Sequence, residues 1–212
     1  MINFSNQKPK PFPWMSVLIG LLFTISIFLV ELTDYKSLLF RELAIDTDQF
    51  FSRVTEHTVE FFRLILSLFL HGNWLHWGIN TLVFFLLSFQ LERTMGSNRF
   101  MLLFLLSGLA GNLAAIWFLQ DTDSLLMGAS GAVSGLIGAW LVVYPHKKIS
   151  FIIPIGLYLQ KASMPISLII MMWFAVQLVL QFQTNAAYDI AWISHITGFA
   201  IGLILAWLLG KP

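Results

Sequence analysis

The 212 residues include no cysteine, which excludes disulfide staples and thiolate metal sites. Charge is nearly as scarce. Asp, Glu, Lys and Arg make up 11% of the chain, against about 25% in a soluble domain, so a water-facing globular surface cannot be built from it. The formal net charge of +1 carries no message by itself, because the charges are segregated along the chain. No internal repeat or low-complexity tract stands out, and no nucleic-acid partner is expected. What the chain has is apolar residues, 58% of the total.

Those residues fall into runs long enough to cross a hydrocarbon core of roughly 30 Å: Trp14 to Leu32, Trp74 to Leu91, Phe100 to Leu119, Ser130 to Tyr144, Ser163 to Phe182 and Trp192 to Leu209. The expected fold is all-α: one six-helix membrane domain over 14–209, a tail over 1–13 and a short tail over 210–212. The first run follows Lys8 and Lys10 but is long and ends in VELTDYK without a small-residue cleavage site, so it reads as a retained span rather than a signal peptide. Lys8, Lys10, Arg93, Arg99, Lys147, Lys148, Lys161 and Lys211 share one side of such a bundle; Lys36, Arg41, Arg53 and Arg63 lie on the other. The excess of basic residues places both termini in the cytoplasm.

With that topology the second, fourth and sixth spans run inward from the outer face, so residues near their starts lie at one level. His71 and His76 begin the second, Ser130 begins the fourth, and His195 is near the start of the sixth. Ionisable groups inside a span are costly and point to function. The fourth run is only about fifteen residues, or roughly 22 Å as a helix. Its start is therefore expected below the outer surface, with QDTDSLLMGA dipping in to meet it, and irregular backbone at that depth must be buried in protein or line a wet cavity. In LMGASGAVSGLIGAW, Gly128 and Gly131 flank Ser130 and permit close backbone approach, while a helix start offers N–H groups without intrahelical partners. Such donors can stabilise an oxyanion. Gly131, Gly135 and Gly138 line a face of the fourth span, and Gly198 and Gly202 a face of the sixth. Small faces allow close packing, which would bring His195 to Ser130. His76 and Asn80 are four apart and share a helix face; each can donate to a negatively charged oxygen. His71 lies off that face and is expected to shape the loop.

Three segments, FRLILSLFLHGNWLHWGIN, GASG and SHITGFAIG, resemble the signatures of the rhomboid family of intramembrane serine proteases, in that family's order and on its second, fourth and sixth helices. LERTMGSNRF resembles the family's Glu and Gly-Ser turn, and the length resembles its compact bacterial form. The resemblance implies Ser130 as nucleophile and His195 as general base, a dyad without a carboxylate, with His76, Asn80 and the Ser130 backbone N–H as oxyanion donors. It implies hydrolysis of transmembrane protein substrates, single-span or polytopic, within the lipid bilayer. Arg63 would correspond to the arginine of a large membrane-lying loop, 184–190 to a cap over the site, and the fifth helix to a lateral gate. No cofactor or metal is implied, and the expected location is the bacterial cytoplasmic membrane. No acidic residue is expected in the bundle interior.

Three positions depart from the family pattern: Phe62 where tryptophan is frequent, Ser194 where alanine is common, and Ser134 where an aromatic often packs against the histidine. A hydrogen bond from Ser134 or Ser194 to His195 is one expected compensation. Read separately, GASGAVSG is a helix-packing face, His71 and His76 are boundary residues, His57 is an exposed loop histidine, and the twenty Phe and eight Trp are mostly lipid-facing or interfacial residues. Two rival functions follow from those readings. A client-binding rhomboid-like protein would be expected to lack the serine or histidine, and a small transporter would need a polar path through the inner halves of the helices, which are apolar. Zinc hydrolysis lacks its motif, since His71 and His76 do not stand at i, i+4 beside a glutamate.

Overall fold

The structure is a computed structural model that describes residues 11–55, 57–120, 124–155, 158–183 and 192–209. Most of the expected N-terminal tail, the tail at 210–212 and the segment 184–190 expected to cap the site lie outside the described residues. The chain is mostly helical. Long helices α1 (Trp14–Leu32), α5 (Trp74–Met95) and α6 (Ser97–Leu119) are separated by short helices α2 (Lys36–Leu43), α3 (Phe50–Val54) and α4 (Val59–Leu66) between α1 and α5. Then follow α7 (Ser130–Val143), α8 (Ile166–Gln183) and α9 (Trp192–Leu208). By length and composition α1, α5 and α6 can each cross a membrane, and α7 and α9 are shorter apolar helices.

Two small antiparallel sheets qualify the all-α expectation. Strands β1 (Ile45–Asp46) and β2 (Leu125–Leu126) form one, and β3 (Lys148–Ile155) and β4 (Tyr158–Pro165) the other. The second is a hairpin whose register runs from Lys148↔Pro165 to Ile155↔Tyr158. Its first strand is rich in isoleucine, which fits a pleated sheet, and Phe151 and Met164 pack against the main core. The fifth apolar run consequently becomes helical at Ile166 rather than Ser163, just after Pro165, and the third begins at Ser97 rather than Phe100.

Helix α7 is central because its sequence has no polar side to present: every residue from Gly131 to Trp140 is buried, as expected of a helix apolar all round. Phe23, Phe84 and Phe104 close the core beside it, with ring centroids 5.3 Å apart for Phe23–Phe84 and 5.9 Å for Phe84–Phe104. Along its other side α7 meets α9 backbone to backbone. A Cβ at Gly198 would run into the carbonyl oxygen of Gly131, lying 3.1 Å from its Cα, and one at Gly202 would run into the carbonyl oxygen of Gly135. Gly138 faces the Phe199 carbonyl in the same way. Glycine is required on both helices for this approach.

One expectation is corrected. The interior does hold carboxylates. Glu92, 2% exposed, accepts from the Met15 and Ser16 backbone N–H groups at 3.0 and 2.8 Å and from the Ser16 and Ser97 hydroxyls, each at 2.7 Å. Two of those donors belong to the first turn of α1, where N–H groups have no intrahelical partner and negative charge is favoured. Glu92 thus caps α1 from α5. It lies sixteen residues beyond His76 on the same helix, about 24 Å along the axis, and is no partner for His195.

Candidate active site

Residues 124–129 between α6 and α7 are irregular apart from β2, and their backbone groups find partners in protein. Leu126 and Leu125 pair with Ile45 and Asp46. Thr47 donates to the Ser124 carbonyl through its N–H at 3.1 Å and its hydroxyl at 3.0 Å. Gly128 N–H donates to the Ser67 carbonyl at 2.8 Å. Ser67 is in turn held from α6, since the Asn112 amide donates to the Leu64 carbonyl at 2.9 Å and to the Ser67 hydroxyl at 3.1 Å.

Gly128 has φ +115, and a Cβ there would lie 2.5 Å from Cε1 and 2.7 Å from Nε2 of His76. Glycine is needed here twice over, for the backbone angle and for the room. Two residues later the chain enters α7 at Ser130, with the Val133 N–H closing the first turn on the Ala129 carbonyl at 2.8 Å. Ser130 is half-buried. Its hydroxyl and Nε2 of His195 are hydrogen-bonded across 2.7 Å, where the glycine seam draws α9 onto α7. Among the described residues, Nδ1 of His195 has no hydrogen-bond partner. Among the described residues no carboxylate is hydrogen-bonded to the ring.

His76 comes to the same place from α5, its ring lying against Gly128, two residues before Ser130. Asn73 caps α5, its side chain accepting from the His76 N–H at 2.9 Å. Asn80 is fully buried and spends one amide hydrogen on the His76 carbonyl at 2.9 Å, so its second amide hydrogen remains for another acceptor. His71 is also fully buried; Nδ1 is 3.2 Å from the Phe69 carbonyl, and its ring meets that of His76 at 5.3 Å between centroids and 69°. It therefore supports the His76 ring as well as the loop. Arg63 pairs with Glu60 of its own helix, 3.5 Å from Nη1 to Oε1 with both side chains nearly buried. Gly131, Gly198 and Gly202 belong to the seam.

Neither serine that departs from the family pattern bonds to His195. Ser194 packs into the glycine contact of α6, α7 and α9: a Cβ at Gly111 would lie 2.7 Å from its hydroxyl, and one at Gly131 2.6 Å. Ser134, fully buried, accepts instead from Nε1 of Trp173 on α8 at 3.0 Å. The Trp173 ring stands edge-on beside His195, 6.4 Å between centroids at 64°. Trp173 and Asn112 stand in no motif of the sequence, and Glu92 stands in LERTMGSNRF, a segment that does not mark it as the cap of α1. Trp173 was counted with the lipid-facing aromatics, although Ile166, Ile169 and Trp173 are spaced as one helix face and are the buried residues there.

With the geometry in place, the likeness to known proteins can be set beside it. Residues 58–212 match the family model described as Rhomboid domain. The chain is 31% identical over 153 residues to rhomboid protease GluP of Bacillus subtilis, which is 72% of this chain and 27% of that protein. It is 32% identical over 150 residues to RHOMBOID-like protein 4 of Arabidopsis thaliana, 71% of this chain and 34% of that protein. It is equally 32% identical over 148 residues to human inactive rhomboid protein 2, 70% of this chain and 16% of that protein. The chain thus spans well under half the length of each of these relatives. On the extent of the family match, this membrane protein belongs to the rhomboid family.

Proposed function

We propose that the chain is an intramembrane serine endopeptidase. The observation that carries this reading is the 2.7 Å hydrogen bond between the Ser130 hydroxyl and His195 Nε2. Overall likeness does not discriminate, because a named protease and a named inactive protein match almost equally well. A serine within 2.6–3.2 Å of an imidazole is the arrangement that activates a hydroxyl.

In this mechanism His195 Nε2 takes the proton as Ser130 Oγ attacks the peptide carbonyl. The tetrahedral oxyanion is stabilised by the Ser130 backbone N–H at the start of α7, by His76 and by the free amide hydrogen of Asn80. His195 then gives the proton to the departing amine, leaving an acyl-enzyme that water hydrolyses by the same steps in reverse order. His71 holds the ring of His76, and Gly128 keeps the space beside it open.

Six helices then cross the bilayer, α1 and α5 to α9, with both termini in the cytoplasm, and the reaction occurs toward the outer leaflet. The basic residues on the N-terminal side and the shortness of α7, 14 residues, support that placement. The substrates are single-span or polytopic membrane proteins whose spans unwind easily near the outer surface, being rich in residues of poor helix propensity such as glycine and proline. The bacterial cytoplasmic membrane is the proposed location.

The test is cleavage of a single-span reporter with a Gly/Ala-rich outer juncture by the purified protein in liposomes. Loss of the cut in both Ser130→Ala and His195→Ala, with thermal stability retained, is the expected result. Cutting that survives Ser130→Ala would overturn the reading.

A further inference from the structure

One hydrogen bond through one nitrogen gives the His195 imidazole a direction but not a plane. Serine hydrolases commonly settle the plane with a bond to the second nitrogen, yet here Nδ1 has no such partner among the described residues. Packing has to do it. Beside the ring stands Trp173, 2% exposed, at a separation of 6.4 Å and an angle of 64°, within the range of favourable edge-to-face aromatic contacts.

The indole is itself fixed. Its N–H is a donor only, and it donates to the Ser134 hydroxyl at 3.0 Å in a fully buried position. Ser134 is one helical turn after Ser130, so the two hydroxyls stand on one face of α7. The first engages His195 directly, and the second engages the ring that stands beside it. An aromatic side chain at 134 would fill the place where the indole now bonds. The small residue and the tryptophan are a matched pair contributed by different helices.

Between Ile166 and Val176 the buried residues of α8 are Ile166, Ile169 and Trp173, while Leu168, Met171 and Met172 are 40%, 67% and 51% exposed. We propose that Trp173, braced by Ser134, is the positioning residue for the His195 ring, so that seating of α8 against α7 and readiness of the base are one event. Displacement of α8 withdraws the indole and leaves the imidazole held by a single bond.

This inference rests on the protease reading, and the experiment separates the two. The first readout is the rate at which a small soluble fluorophosphonate labels Ser130, which requires the base but no entering helix. The second is the nitrogen-correlated NMR spectrum of the His195 imidazole. Trp173→Leu is expected to slow labelling by about 10²-fold, the cost of a misplacement of about 1 Å, and to shift the His195 ring resonances. With the reporter, kcat should fall and KM should stay within about twofold. Trp173→Phe, which keeps a ring without the N–H, should recover part of the rate. Ser134→Ala should give a smaller loss of the same kind, and serves as the deciding variant if Trp173→Leu does not fold. Unchanged labelling and unchanged His195 resonances in the folded variants would overturn the brace. A wild type that labels nowhere would overturn the protease reading, and the resonances alone would then decide the brace.

Discussion

Helices α8 and α9 both lie against α7, but by different means. Helix α9 is drawn in by glycines on both sides, so that main chain touches main chain at Gly131–Gly198 and Gly135–Gly202. Helix α8 is held by the tips of side chains: Ile166, Ile169, the indole of Trp173 and the ring of Phe174, 6.0 Å from that of Phe199. In lipid, water exclusion does not drive two helices together, and close packing and hydrogen bonds must. A glycine seam gathers many short contacts over a continuous strip, whereas a row of side-chain tips gathers few. The first can hold Ser130 and His195 at a fixed 2.7 Å; the second can let go without unfolding the rest.

The comparison can be broken at its strongest point or sharpened at its weakest. The largest effect is expected from Ser130→Ala or His195→Ala: activity on the reporter falls by about 10⁴-fold or more while thermal unfolding stays within a few degrees of wild type. Next comes Gly198→Val. The side chain has only the Gly131 main chain to meet, and overpacking of this kind costs about 1–3 kcal/mol or more. Both folding, read by thermal denaturation in detergent, and the serine–histidine contact should be lost together. Ile169→Ala on α8 should lower the Tm less than Gly198→Val does, since it loses dispersion contacts in lipid rather than a seam. Amide exchange should quicken in α8 and not in α9, an outcome that would fail if the two helices loosened equally. The smallest change is that of Ser134→Ala, which leaves the buried Trp173 N–H unsatisfied at about 1 kcal/mol; its Tm should drop less than that of either preceding variant.

Much of this arrangement was legible from the residues. The starts at Trp14, Trp74, Ser130 and Trp192 follow from apolar runs bounded by polar or turn-forming residues, and the depth argument brings Ser130, His195 and His76 to one place. The Gly-x-x-x-Gly spacings predict a close approach of two helices and the structure places that approach between α7 and α9. The hairpin over 148–165 escaped because a short isoleucine-rich run, read without its partner strand, looks like any other apolar connection. The capping role of Glu92, though not the residue itself, escaped for a related reason. Its partners Met15 and Ser16 are 76 or more positions away, and nothing local to Glu92 marks it as the cap of another helix. With Ser134 the position was recognised as unusual, but the compensating ring comes from 39 residues further along, beyond the reach of any periodicity.

The glycine seam also has a consequence for the time before the protein is complete. His195 follows Ser130 by 65 residues, and at about 5–20 residues per second a ribosome needs roughly 3–13 s to make that interval. Through those seconds the nascent chain carries the hydroxyl without the imidazole of His195, its hydrogen-bond partner. Even when the histidine has been made, the contact waits until α9 has entered the bilayer and closed on α7. On the proposed mechanism, assembly order therefore acts as a safety catch: a chain among other newly inserted membrane proteins cannot activate its serine until α9 has closed on α7.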